Sequence, residues 1–143
     1  MPRTSLEFPA AVVYRHPLTL RICDINYGQH LGHDTLVSLL HDARCGWLDS
    51  HGLSELNLGG EGIGWVVAEL VVHYQAEAFY ADALVIELAI GEISTKGAEL
   101  YHRVVRSDGA QVALAKAGVV FFDYASRKAV AVPENFLKLA GRR

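Results

Sequence analysis

The chain has 143 residues, a formal net charge of -3 and scattered Lys and Arg residues, so it lacks the basic surface that nucleic acids require. Hydrophobic residues make up 51% and charged residues 20%, a balance that excludes disorder and fits one domain over residues 1–143, with some apolar surface buried between subunits. Apolar runs are too short for a signal peptide or a membrane span, and Cys23 and Cys45 are too few for a disulfide scaffold, so we expect a cytoplasmic protein with reduced thiols.

The first predicted elements are a strand and a long helix. In VVYRHPLTLRIC (residues 12–23), Leu18, Leu20 and Ile22 alternate with more polar residues, which indicates a strand. From Asp34 to Ser50 apolar residues recur at helical spacing over a broad face, so this helix should be wrapped by other structure. Gly52 is placed to end the helix in the left-handed conformation.

Four further strands are predicted after a Gly- and Leu-rich loop. They are IGWVVAELVVHYQA, ALVIELAIGEI, AELYHRVVRS and QVALAKAGVVFFDY, and the SDG between the last two is typical of a tight hairpin. A short amphipathic segment, PENFLKLAG, follows with proline in its first turn. One strand, one long helix and four strands indicate an α+β fold, in which a curved, mainly antiparallel, five-stranded sheet wraps around one long central helix.

The polar segment DINYGQHLGHD, from Asp24 to Asp34, lies between the first strand and the helix. This segment, its helix and the later VVHYQAEAFYADALVI resemble the hot-dog-fold acyl-CoA thioesterases of the 4-hydroxybenzoyl-CoA type. Relatives typically read Asp-x-Asp-x-x-Gly-His-Val-Asn-Asn before the helix and carry a tyrosine and then an aspartate before the third strand. Asp24, His30, Tyr74 and Asp82 correspond here. The resemblance extends over about residues 12–125 and implies a hot-dog fold that hydrolyses an acyl-CoA thioester without a cofactor.

Thioester hydrolysis needs donors aimed at the oxygen that becomes negative, and a group that activates water. The first turn of a helix has unpaired backbone N–H groups and a partial positive charge. We therefore expect the carbonyl to be polarised by the backbone at four residues, with Gly32 allowing close approach: Leu31, Gly32, His33 and Asp34.

Asn26 stands where many relatives carry the catalytic aspartate. Asn is neutral at every pH, so it can orient water or donate to a carbonyl but cannot act as a base. We expect catalysis by His30 assisted by Asn26, with Glu69 as a candidate base, while Asp24 and Asp34 are the other carboxylates available.

The resemblance also implies an acyl-CoA site shared between two subunits, and hence a homodimer or homotetramer. We expect Ser94, Thr95 and Lys96 to contact the CoA phosphates. The apolar acyl pocket is expected to be lined by Trp65, Tyr74 and Leu40. No metal site is expected, because the three histidines on or near the long helix do not share a face: His33, His41 and His51.

Plainer interpretations and other activities stay open. Asp34 is typical of a helix cap or first-turn acid, and Asn26, Gly28 and Gly32 are common turn formers. A hydratase of the same fold acts on enoyl-CoA through Asp-x-Asn-Pro-x-His; DINYGQH shares its Asp24 and Asn26 but lacks the proline and has one residue more before the histidine. A non-catalytic acyl-CoA-binding protein is the third alternative, favoured by the missing aspartate.

Overall fold

In a computed structural model that describes residues 5–141, the chain forms one antiparallel sheet and one long helix. The sheet has the strand order β1-β3-β4-β5-β2, with a two-residue strand β6 added to β5. The strands are β1 Val12–Thr19, β2 Ile63–Tyr74, β3 Ala83–Ile93, β4 Gly97–Arg106, β5 Gln111–Asp123 and β6 Lys128–Ala129. The helices are α1 His33–Asp49 and α2 Glu134–Leu139.

The predicted α+β hot-dog architecture is confirmed, with two differences in detail. The sheet has six strands, because residues 128–129 return beside the end of β5 and pair with Phe122 and Asp123. The first strand ends at Thr19, and a single 3₁₀ turn, Ile22–Asp24, replaces its expected continuation. Ile22, expected on the same side of the strand as Leu18 and Leu20, is 70% exposed, whereas Leu20 is 1% exposed.

Helix α1 packs its broad apolar face against the sheet. Leu36, Leu40, Ala43 and Trp47 are buried there together with inward-facing residues of the strands. Gly52 has a φ of 69° after the helix, as its position predicts. No helix within residues 5–141 has the length and apolar character needed to cross a lipid bilayer.

The short helix α2 is fixed to the core by one aromatic residue. Phe136 is fully buried, and its ring contacts Trp47, Trp65 and Phe121 edge-on, with centroids 5.0 to 6.2 Å apart. Such edge-to-face contacts add to the burial of large apolar surfaces. The C-terminal segment therefore closes the core around Trp47, at the end of α1 opposite to the polar segment.

A buried polar pair links α1 to the sheet. Arg44 of α1 is 5% exposed, and its Nη1 donates to Nε2 of His102 on β4 over 3.0 Å. Burial and the guanidinium of Arg44 lower the pKa of His102 to about 3, so the imidazole is neutral. Arg44 lies four residues after Leu40 and four before Leu48, so helical spacing places it on the buried face although its charge argues against burial.

Candidate functional site

The polar segment lines a cavity of about 490 Å³ at the N-terminus of α1. One wall is the loop before α1 with the first turn of the helix, and the other is the end of β2 with the residues that follow it. The lining residues are Asn26, His30, Leu31, Gly32, His33, Leu36, Tyr74, Gln75, Ala76, Glu77, Ala78 and Val112. A polar rim over an apolar floor is typical of small-molecule sites.

Asp24 is not among the lining residues of this cavity, and its contacts are with Arg21. Its side chain is 2% exposed and accepts hydrogen bonds from the Arg21 backbone N–H, over 2.8 Å, and from the Arg21 guanidinium, over 3.1 Å. Burial alone would raise the pKa of Asp24, but the hydrogen bonds from Arg21 outweigh it and hold the pKa below its ordinary value. The ionised carboxylate thus fixes the turn from which the polar loop departs.

Asn26 shapes the loop that presents His30. The Asn26 N–H donates to the carbonyl of His30 over 2.9 Å, and the His30 N–H donates to Asn26 Oδ1 over 3.3 Å. Gln29 lies between them and has a φ of 68°, a backbone conformation that residues other than glycine seldom adopt. Asn26 is therefore both a turn former and a lining residue of the cavity.

The ring of His30 is held in one orientation by its neighbour. Nδ1 lies 3.0 Å from the carbonyl oxygen of Leu31. Because a carbonyl only accepts, Nδ1 carries the hydrogen of the neutral ring, and Nε2 keeps a lone pair. Nε2 lies 3.8 Å from Oε2 of Glu77, a cavity residue that is distant in sequence and absent from our predicted site.

Gly28 leaves room beside that nitrogen. A Cβ at Gly28 would lie 3.1 Å from His30 Nε2 and 3.4 Å from Asn26 Oδ1. Contacts this close leave no space for another group between the side chain and the ring. Glycine at this position therefore keeps the Nε2 atom of His30 open to the cavity.

Two of the four backbone N–H groups predicted to polarise the carbonyl already donate hydrogen bonds within the protein. The Leu31 N–H donates to the carbonyl of Ala78 over 2.8 Å, and the Gly32 N–H donates to the carbonyl of Asp24 over 3.1 Å. These two amides hold the loop in place, so the prediction needs correcting at Leu31 and Gly32.

Of the other two predicted residues, His33 lines the cavity and Asp34 is not among its lining residues. They open α1, where N–H groups have no acceptor within the helix, and no side chain caps this end. A Cβ on Gly32 would lie 2.8 Å from Oδ1 of Asp34, so the glycine permits the tight approach of loop and helix. The N-terminus of α1 therefore brings His33 and the positive end of the helix dipole to the cavity.

Tyr74 and Asp82, the tyrosine and the aspartate of the predicted family pattern, make different contacts. The Tyr74 hydroxyl, at the end of β2, donates to the carbonyl of His33 over 2.9 Å and so ties the strand to the start of the helix. Desolvation and the nearby Asp34 carboxylate raise the pKa of Tyr74, which keeps the hydroxyl protonated. Asp82 lies in the following loop, where Oδ2 accepts from the Phe79 N–H over 2.8 Å.

Within this chain, Glu69 is not at the cavity of His30. Its side chain is 67% exposed and lies 3.9 Å from Lys116 Nζ. It lines a second groove, together with Ser94 and Lys96 of the predicted CoA-contacting turn, and this groove shares no lining residue with the cavity. Thr95 uses its carbonyl to accept from the Val132 N–H over 3.0 Å.

The three residues expected to line an acyl pocket are divided between two depressions. Tyr74 lines the cavity of His30. Leu40 and Trp65 instead line a third groove, between α1 and the edge strand β2, together with Val67 and Leu70. The apolar residues that do face the His30 cavity are Leu31, Leu36, Ala76, Ala78 and Val112.

Comparison with known proteins places these features in a family context. Residues 20–139 match the model of the Thioesterase-like superfamily. No curated protein sequence matches the chain.

Several solved structures have the same fold. The 1,4-dihydroxy-2-naphthoyl-CoA thioesterase Slr0204 from Synechocystis is 18% identical with a TM-score of 0.81, over 90% of this chain and 95% of its own. The DHNA-CoA thioesterase from Staphylococcus aureus is 14% identical with a TM-score of 0.78, over 89% and 90% of the two chains. SAV2348 from Staphylococcus aureus, solved in complex with CoA, is 18% identical with a TM-score of 0.82, over 96% and 86%.

Proposed function

The chain belongs to the thioesterase-like superfamily, and from this we propose that it hydrolyses an acyl-CoA thioester to the free acid and CoA. The observation that carries the proposal is the convergence of two chemical elements on one cavity. Nε2 of His30 faces it from the loop, and His33 faces it from the first turn of α1, where backbone N–H groups have no acceptor within the helix. Structures of the same fold that act on aryl-CoA thioesters or bind CoA support the choice of substrate class.

In the proposed reaction the thioester carbonyl oxygen lies against the His33 and Asp34 amides. Nε2 of His30 takes a proton from water as the water oxygen attacks the carbonyl carbon, and the negative charge gathers on the carbonyl oxygen. The tetrahedral intermediate then expels the CoA sulfur, and the imidazolium returns the proton to it. Glu77, 3.8 Å from Nε2, stabilises the imidazolium between these steps.

The rate factors expected from a general base and from backbone donors are together large enough for catalysis. A positioned general base contributes roughly 10²–10⁴-fold. Each donor to a developing oxyanion contributes about 10²–10³-fold in a site closed to water. Asn26 adds no base, and its proposed role is to hold the loop so that the His30 ring points into the cavity.

The position of Asp24 weighs against the hydratase alternative. In that mechanism a carboxylate and a histidine act together on the substrate. Asp24 is 2% exposed and its oxygens accept hydrogen bonds from Arg21. A carboxylate held in this way does not reach a ligand in the cavity.

A thiol-release assay over a panel of acyl-CoA esters, aryl and aliphatic, tests the proposed function. We expect turnover of at least one ester by the wild type, with no hydration of crotonyl-CoA. Binding of the esters without release of CoA would overturn the proposal in favour of a non-catalytic binding protein. A fall in crotonyl-CoA absorbance would favour the hydratase. Glu69→Ala, assayed beside the wild type, tests whether that carboxylate contributes from a neighbouring subunit.

We further propose a homodimer joined through β2, from which a homotetramer can be built. Within residues 5–141, β2 pairs with β5 on one side and presents its other edge outward. Its exposed segment 67–70 includes Val67, 47% exposed, and Leu70, 37% exposed. The other sheet edge, β1, contains Pro17, which lacks an N–H group and disfavours pairing of a further strand.

The turn between β3 and β4 is our proposed contact for CoA. Ser94 and Lys96 line the second groove and offer a hydroxyl and an ammonium group. Glu92 and Glu99 line it as well, and their charges oppose a phosphate. A Lys96→Ala variant is expected to raise KM for acyl-CoA with kcat unchanged, whereas an unchanged KM would remove this turn from the CoA site.

A further inference from the structure

A second cluster of chemically active side chains lies on α1, outside the cavity of His30. His41 and Cys45 are four residues apart on the helix and therefore share a face. Glu55, from the loop that follows α1, reaches the same point. Its Oε1 lies 2.6 Å from His41 Nε2 and 3.4 Å from Cys45 Sγ. The three ligating atoms all lie within 4.8 Å of one another.

The position of Glu55 is fixed from two sides. Its other oxygen, Oε2, accepts a hydrogen bond from the indole N–H of Trp65, which is 2% exposed. Its backbone presses against β2 at Gly64, where a Cβ would lie 1.7 Å from the Glu55 carbonyl oxygen. A carboxylate held by a buried donor and a packed backbone is oriented before any ligand arrives.

We propose that His41, Cys45 and Glu55 bind a Zn²⁺ ion. Imidazole nitrogen, thiolate sulfur and carboxylate oxygen are the three ligand types that Zn²⁺ takes in proteins. Tetrahedral coordination needs these atoms about 3.3–3.7 Å apart, from the usual Zn–N, Zn–O and Zn–S lengths. The Cys45–Glu55 separation is already in that range, and the His41–Glu55 separation must open by about 0.7 Å.

Binding exchanges hydrogen bonds for coordination bonds. The ion replaces the Cys45 S–H hydrogen, which leaves as a proton to solvent, and it displaces the His41–Glu55 hydrogen bond. The His41 side chain is 55% exposed, so it can move and the fourth coordination position is open to water. Asp42 and Asp49 lie nearby on α1 and favour a cation, while the buried Arg44 opposes it.

The site would fasten the long loop 50–62 to α1. The groove that contains it has no lining residue in common with the His30 cavity. The proposed Zn²⁺ site is therefore separate from the site proposed for hydrolysis. The expectation of no metal was based on the spacing of the histidines alone and did not consider His41 together with Cys45, four residues later.

Cobalt(II) is the probe that tests this site, because a thiolate ligand gives Co²⁺ an intense near-ultraviolet charge-transfer band and tetrahedral geometry gives strong visible bands. Metal-free, reduced protein is expected to bind one Co²⁺ per chain with both signals, and Zn²⁺ should displace it and raise Tm. Cys45→Ser should abolish the charge-transfer band, and His41→Ala should weaken binding about 100-fold or more.

Cys23→Ser is the matched control, because Cys23 is also an exposed free thiol. It should leave the spectrum unchanged. The proposal is overturned if the wild type shows no charge-transfer band, or if Cys45→Ser retains it. His41 and Cys45 are exposed, so both variants should fold and their circular dichroism spectra should match that of the wild type. The test therefore needs no substitution of Glu55, which is more buried.

Discussion

At the scale of single residues, Asn26 and His30 both line the cavity, and Asn26 holds the loop that presents His30. Asn26 closes the loop through hydrogen bonds of its backbone and its side chain. Nε2 of His30, the ring nitrogen without a hydrogen, lies 3.8 Å from Oε2 of Glu77. The loop pattern indicated His30 as a candidate, and the structure places it in the lining of the cavity. Glu77 was not predictable, because it comes from the loop after β2 and reaches the site only through the fold.

Gly28 provides a steric test of this arrangement. Gly28→Ala adds a methyl group 3.1 Å from His30 Nε2, at the place where the attacking water must lie. We expect kcat/KM for the best acyl-CoA to fall about 10- to 100-fold with no loss of thermal stability.

Gly60→Ala is the control for that substitution, because its Cβ would meet Ile63 at an ordinary 3.5 Å. It should retain wild-type activity. Equal activity in Gly28→Ala and the wild type would show that Nε2 is not the atom that needs space.

At the scale of elements, the bounds of helix α1 were predicted better than the backbone donors at its start. Helical spacing and Gly52 set α1 within one residue of its observed ends. The amides of Leu31 and Gly32 are used by Ala78 and Asp24, and those partners follow from tertiary contacts that no local pattern contains.

The link between α1 and β4 predicts an acid-sensitive fold. His102 has a pKa of about 3 in the folded protein, and the unfolded chain takes up its proton near pH 6.5. The unfolded state binds more protons between these values, so the stability from neutral His102 is complete above pH 6.5 and is lost as pH falls toward 3. We expect on the order of 3 kcal/mol of loss between pH 6.5 and 4.

His102→Gln keeps an acceptor for Arg44 and removes the titration. Urea unfolding of this variant should show a much shallower dependence on pH over that window. His51→Gln, at an exposed position, should keep the wild-type slope. The same steep slope in His102→Gln would assign the acid sensitivity to other groups.

At the scale of the whole molecule, the fold separates the predicted site residues into distinct grooves. Asn26 and His30 face one, Glu69 with Ser94 and Lys96 another, and Leu40 with Trp65 a third that reaches the free edge of β2. The strands themselves were readable from alternation and hairpin signals, but their order in the sheet was not predicted. Which groove each residue faces was not, because it depends on the bulge and register of β2 against β5.

The proposed dimer edge gives a prediction at this scale. Leu70→Asp places a charge on the exposed face of β2, where an adjoining subunit would bury it at a cost of several kcal/mol. Light scattering should give at least a dimer mass for the wild type and a monomer mass for the variant. Ile22→Asp, at an exposed residue outside the sheet, should keep the wild-type mass. A monomeric wild type at micromolar concentration would contradict the proposed interface.

In the proposed mechanism, thioester hydrolysis depends most directly on His30 as the group that activates water. The decisive measurement is kcat/KM of His30→Ala for the best acyl-CoA ester of the panel, beside His51→Ala as a control histidine away from the cavity. We predict a fall of about 10²–10⁴-fold for His30→Ala, in kcat more than in KM, and no change for His51→Ala. Wild-type activity in a folded His30→Ala protein would contradict the account.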